Sequence, residues 1–106
     1  MKNFDYRGYS VEPKELVDYD IIANEQYGIG KKQTFNVFGK GKKFSVCLLV
    51  GEDELVKNNY IDSVEELLQG GIQDIVDVVD NKNIVFEENK YQYNFIFLQD
   101  EGWLRI

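Results

Sequence analysis

Residues 61–80 read IDSVEELLQGGIQDIVDVVD, and the fold turns on how this stretch is read. Apolar residues fall at Val64, Leu67, Leu68, Ile72, Ile75, Val76 and Val79. Steps of three and four mark one face of a helix and not the alternation of a strand. The opposite face carries acids and amides. Ser63 and Glu66 have the S-x-x-E form of a capping box, in which serine and glutamate each satisfy a free backbone N–H of the first turn. Asp62, Glu65 and Glu66 stand where the positive end of the helix dipole favours anions. The pattern predicts a helix over about 63–79. Gly70-Gly71 opposes it, at roughly 1 kcal/mol per glycine relative to alanine. Gly71 lies seven residues after Val64, hence on the apolar stripe, where a missing side chain would let a sheet approach closely. The rival reading is a break into two short helices. Both bury the same face, and the continuous helix is the expectation.

The flanking segments read as strands. Residues 4–12 alternate in two phases that slip at Gly8, as a bulge or bend would make them. In residues 16–24, Val17, Tyr19, Ile21 and Ala23 share one face and Asp18 and Asp20 the other, a half-buried strand with a wet side. EQYGIGKK, residues 25–32, has the composition of a turn. QTFNVFG and KFSVCLLVG are two β-rich runs joined by Gly39-Lys40-Gly41-Lys42, a hairpin signal; the second is apolar almost throughout, as a central strand would be. Residues 52–60 read as a loop with a short helical turn and 84–88 as a strand. In YQYNFIFLQ, Tyr91, Tyr93, Phe95 and Phe97 share one face, turned to the helix. Trp103 falls on an edge strand, either packed over the sheet rim or exposed as an anchor. Strands, then a helix, then strands is α+β order. The expected architecture is a single domain of residues 1–106, with one antiparallel sheet of five to seven strands packed against one main helix.

At 106 residues, 43% hydrophobic and 14% aromatic, the chain has the composition of a folding domain. It contains no run of 18 apolar residues and no signal-peptide pattern at MKNFDYRGYS, which predicts a cytoplasmic protein. The single cysteine, Cys47, lies in FSVCLLV and reads as an inert buried thiol. The net charge of −7 argues against direct nucleic-acid binding. Between Glu52 and Asp80, nine acids (Glu52, Asp53, Glu54, Asp62, Glu65, Glu66, Asp74, Asp77, Asp80) face one base, Lys57. Between Lys31 and Lys43 there are five lysines and no acid, so the charge is expected to divide between two sides. The two lysine groups are separated by a strand of roughly 20 Å at about 3.3 Å per residue and need not form one patch.

The chain has no histidine, which removes Ser–His and Cys–His nucleophiles and the commonest zinc ligand. Asp18 and Asp20 point the same way from a strand and leave a metal-dependent enzyme as a minor reading. Gly39 to Lys43 lacks the P-loop spacing and reads as a hairpin tip. No catalytic residue, metal site or cofactor is expected. The feature that points to function is the acidic helix face: Asp62, Glu65, Glu66, Asp74, Asp77 and Asp80. Carboxylates fixed on a rod complement the lysines and arginines of a basic partner and steer its approach. The reading is a small acidic non-enzymatic binding protein that inhibits or masks a basic protein. The partner class would be a nucleic-acid-handling enzyme such as a nuclease, and the protein type an immunity protein or phage anti-defence inhibitor. The alternative is a structural or assembly subunit that forms a homodimer through strand edges near Gly8 or Trp103.

Overall fold

The computed structural model describes residues 1–23, 26–52, 54, 64–81, 92–98 and 101–105, with 20–23, 26–29 and 92 described by their backbone alone. Seven strands form one sheet: β1 (Phe4–Tyr6), β2 (Tyr9–Pro13), β3 (Val17–Ala23), β4 (Gln26–Gly39), β5 (Lys42–Gly51), β6 (Gln92–Leu98) and β7 (Gly102–Arg105). The helix α1 (Val64–Asn81) lies between β5 and β6 in the chain and crosses over β5 in space. The sheet order is β1-β2-β4-β5-β6-β7, and β3 pairs with the first half of β4. This is the expected α+β architecture. Among the described residues, no helix is long and apolar enough to cross a membrane.

The helix runs unbroken through Gly70-Gly71. Leu68, Ile72, Ile75, Val76 and Val79 are buried on it, facing Phe44, Val46, Leu48 and Val50 of β5 and Phe35 and Val37 of β4. Each side chain so buried contributes roughly 1.5–3 kcal/mol. Burial therefore outweighs the propensity cost of two glycines several-fold. Gly71 has a further role: a Cβ there would lie 2.5 Å from Cε2 of Trp103, so the indole of β7 rests on bare helix backbone. Trp103 packs over the rim, its ring 5.4 Å from that of Phe97. Ser63 of the capping box and the expected strand at 84–88 lie outside the described residues, as do 55–60 and Tyr91.

Four features differ from the sequence reading. The sheet is not wholly antiparallel, because β5 and β6 pair in parallel from Ser45↔Gln92 to Val50↔Phe97. The intervening helix carries the chain back to its starting end, so the next strand runs the same way. The phase slip at Gly8 is a two-residue hairpin turn and not a bulge: Tyr6 pairs with Tyr9, and Arg7 (φ 51°) and Gly8 (φ 84°) both take left-handed backbone. The Lys40-Gly41 tip has the same form, with φ 50° and 74° and Gly39 paired to Lys42. Both are the left-handed turns whose twist suits a hairpin.

Residues 26–32 are strand and not turn. β4 is fourteen residues long because β3 pairs along its first half while β5 pairs from Gly30 to Gly39, and the β3 ladder, joined by β5 from Gly30 on, overrides the turn-forming composition. Finally, β3 is an outer strand, and Val17 and Tyr19 are 36% and 39% exposed instead of half-buried. On β5, Cys47 is buried as expected, and burial pushes its thiol pKa up.

The two adjacent glycines have opposite requirements, and paired substitutions separate them. A Cβ at Gly70 meets nothing within 4 Å, so Gly70→Ala should raise stability by about 0.5–1 kcal/mol through helix propensity. Gly71→Ala should lower it by about 1–3 kcal/mol, because the indole must move. Urea unfolding of the two variants measures both signs.

Candidate functional site

The acids of α1 divide between two flanks. On the flank towards β1 and β2, Asp77 accepts hydrogen bonds from the Tyr6 hydroxyl at 2.8 and 3.0 Å and pairs with Arg7 Nε at 2.5 Å. One turn on, Asp80 Oδ1 accepts from Lys40 Nζ at 2.7 Å and from the Tyr9 hydroxyl at 3.2 Å. Each of the two left-handed hairpin tips thus supplies one cation to the last part of the helix. The tips abut at Gly39, where a Cβ would lie 2.6 Å from the carbonyl oxygen of Gly8. Acids near a helix C-terminus are disfavoured by the dipole, and the last turn of α1 contains no basic residue. Arg7 and Lys40 supply the missing positive charge from outside. The Lys40 hydrogen bond holds the Asp80 carboxyl below the ordinary carboxylate range, with the Tyr9 bond adding to it.

Several of the five lysines of residues 31–43 are engaged by neighbouring side chains. Lys31 pairs with Asp18 across β3 and β4, Lys32 sits over the Tyr19 ring at 4.6 Å, and Lys43 over the Phe38 ring at 5.4 Å. The charge is therefore less two-sided than the sequence suggested, since Lys40 meets the acidic helix directly. Asp18 is held by Lys31, and the side chain of Asp20 lies outside the described residues. Among the described residues there is no cluster of three or more histidine, cysteine or acidic side chains able to hold a metal.

The flank towards β6 and β7 is different. It opens as a groove of about 930 Å³ between α1 and the sheet. Its floor is Phe95, Phe97 and Trp103, and its helix wall is Leu67, Gly70, Ile75 and Val78. Glu66, Asp74 and Glu101 line it and are exposed to solvent. Arg105 lies at 4.5 Å over the ring of Tyr93, another lining residue.

Of the six carboxylates singled out in the sequence, Asp77 and Asp80 are used inside the fold. Glu65 is paired with the Met1 amine at 3.1 Å, and Asp62 lies outside the described residues. Glu66 and Asp74 remain, two helical turns apart on the rim of one groove, with no ion-pair partner among the described residues. Eight residues at 1.5 Å each place them about 12 Å apart along the axis. Sequence reading missed the groove itself, together with Glu101 and Arg105. One signal was present: Val78 is an apolar residue out of phase with the buried stripe, and it is 47% exposed on the groove wall.

Comparison with protein-family models, with curated proteins and with solved structures found no match.

The anchoring of Asp80 has a pH signature. Its folded pKa lies below the unfolded value of about 3.9, so the contribution is full above that pH and is lost as pH falls through the folded value. The melting temperature of the protein should therefore drop as pH falls below about 4, and Asp80→Asn should flatten that drop while lowering the melting temperature at pH 7. Thermal unfolding followed by circular dichroism across this range measures both.

Proposed function

We propose that this protein is a non-enzymatic binding protein that masks or inhibits a basic protein partner, with Glu66 and Asp74 of α1 as the central contacts. The observation that carries the reading is the division of the helix acids. Asp77 and Asp80 have structural work holding α1 to the hairpin tips. Glu66 and Asp74 stand exposed beside an apolar groove, and no described ion pair accounts for them. Carboxylates held on a helix whose stripe is locked into a core are pre-positioned, so a partner's lysines and arginines meet them without ordering a flexible loop first. A net charge of −7 adds long-range attraction for a basic protein and repulsion for nucleic acid. A nucleic-acid-handling enzyme, basic where it grips its substrate, is the partner class that this chemistry suits best, in the manner of an immunity protein or a phage-encoded inhibitor.

One observation favours a second reading, a structural subunit that self-associates by strand edges. Leu16, Val17 and Tyr19 are exposed at or beside the outer strand β3. Light scattering over a range of concentrations separates the two, since a tight homodimer supports the second.

The leading reading is tested by affinity capture from the source lysate at low and then raised salt, with the double variant Glu66→Lys/Asp74→Lys alongside. A basic protein should be retained at low salt, released as salt rises, and held at least about tenfold more weakly by the variant. Retention indifferent to both changes rules the electrostatic mode of action out.

A further inference from the structure

We infer that the groove between α1 and β6–β7 is the seat of an amphipathic cationic helix of the partner, a deepening that rests on the proposed masking function. The floor is aromatic and continuous across strands. Val50 of β5 pairs with Phe97 of β6, and Phe97 with Trp103 of β7, so three helix-facing side chains form one row running out from under α1. Leu48 to Phe95 forms a second row beside it. The helix wall is shallow at Gly70, which has open space where a Cβ would stand, and apolar at Val78. Such a channel matches the apolar face of a helix, which presents residues at i, i+3, i+4 and i+7 to a groove.

Charge selects among the occupants. Glu66, Asp74 and Glu101 border the channel, and its arginine, Arg105, is stacked on Tyr93. A fatty acid or other anionic amphiphile would set its head group against three carboxylates. A second copy of this chain, carrying −7, would bring acids to acids. A helix with leucines on one face and lysines or arginines flanking them meets both demands. Basic residues seven or eight positions apart span about 12 Å and register with Glu66 and Asp74. The apolar contact supplies the affinity and the ion pairs set orientation and encounter rate, a division expected of hot-spot anchors ringed by polar contacts.

The protein reports on its own groove, because Trp103 is its single tryptophan. The probe is a synthetic peptide of about 18 residues, long enough to hold a helix, with leucines on one face, lysines on the rest and no tryptophan or tyrosine. Titration into the full chain should shift the Trp103 emission saturably. A scrambled peptide of the same composition should bind about tenfold more weakly, and so should the lysine peptide to Glu66→Lys/Asp74→Lys. Gly70→Leu fills the channel where nothing obstructs a Cβ and should weaken binding at least about tenfold. Its melting temperature controls for folding.

If Gly70→Leu binds the peptide as the parent does, or Trp103 emission never moves, the groove is not the seat. The basic-partner reading then still stands provided that charge reversal weakens binding in calorimetry. A peptide with glutamates in place of lysines binding equally well overturns both. A shift of Trp103 emission with protein concentration alone, accompanied by a dimer in light scattering, makes a second copy the occupant and overturns the inference.

Discussion

The structure depends on one close approach, that of the apolar stripe of α1 to the face of the sheet formed by β4 and β5. Leu68, Ile72 and Val76 are fully buried there, and so are Phe35, Val37, Val46, Leu48 and Val50 opposite. Residues distant in the chain meet only because this contact closes: the first hairpin, the long β4–β5 hairpin and the final strand all reach α1. Gly71 sets how near the helix can come at the β7 end, since the Trp103 indole occupies the space a side chain would need. The position of the helix is thus defined by packing at its middle and by charge at its C-terminal end.

That second constraint changes what the acidic face means. Seen as a list of charges, Asp62, Glu65, Glu66, Asp74, Asp77 and Asp80 form one row. In the fold they serve different ends, because the helix has a different neighbour on each flank. Tyr6, Arg7, Tyr9 and Lys40 reach Asp77 and Asp80 and pair each carboxylate with a cation and a tyrosine hydroxyl. A carboxylate already bonded to a tyrosine hydroxyl and a cation has little to offer a partner. An exposed one on a rigid helix has its full charge available, so what matters for recognition is which acids remain, and Glu66 and Asp74 do.

The helix, its direction of burial, the apolar central strand, the hairpin at Lys40-Gly41 and the inert Cys47 were legible in the sequence, because each rests on local periodicity or on composition. The close-approach role of Gly71 was legible for the same reason. What escaped the reading was non-local. The parallel pairing of β5 with β6 is a consequence of the crossover, and no residue pattern marks it. The strand character of residues 26–32 comes from pairing with β3, joined by β5 from Gly30 on. Arg7 and Lys40 sit at positive φ in turns, a conformation signalled by the glycine after each, but their pairing with Asp77 and Asp80 spans 70 and 40 positions. The groove escaped too, since it is a space between elements and only Val78 hinted at it.

The difference between the two flanks follows from size. Neighbouring strands lie about 4.8 Å apart, and a helix with its side chains is about 10 Å across, so one helix covers the width of about two strands. A sheet in which six strands stand side by side is wider than that, and α1 sits over β5 near its middle. On the β1–β2 flank the uncovered width is bridged by long side chains, Tyr6 and Tyr9 with Arg7 and Lys40, which reach up to the helix. On the β6–β7 flank the floor is set with Phe95, Phe97 and Trp103, large rings that lie along the sheet, while the facing helix positions include Gly70 and the short Val78. Aromatic surface below and a shallow wall above leave a channel that no described side chain spans. The same helix therefore has one flank fastened into the fold and another presenting apolar surface edged with carboxylate, an arrangement suited to an incoming element that is greasy on one side and positively charged on the other.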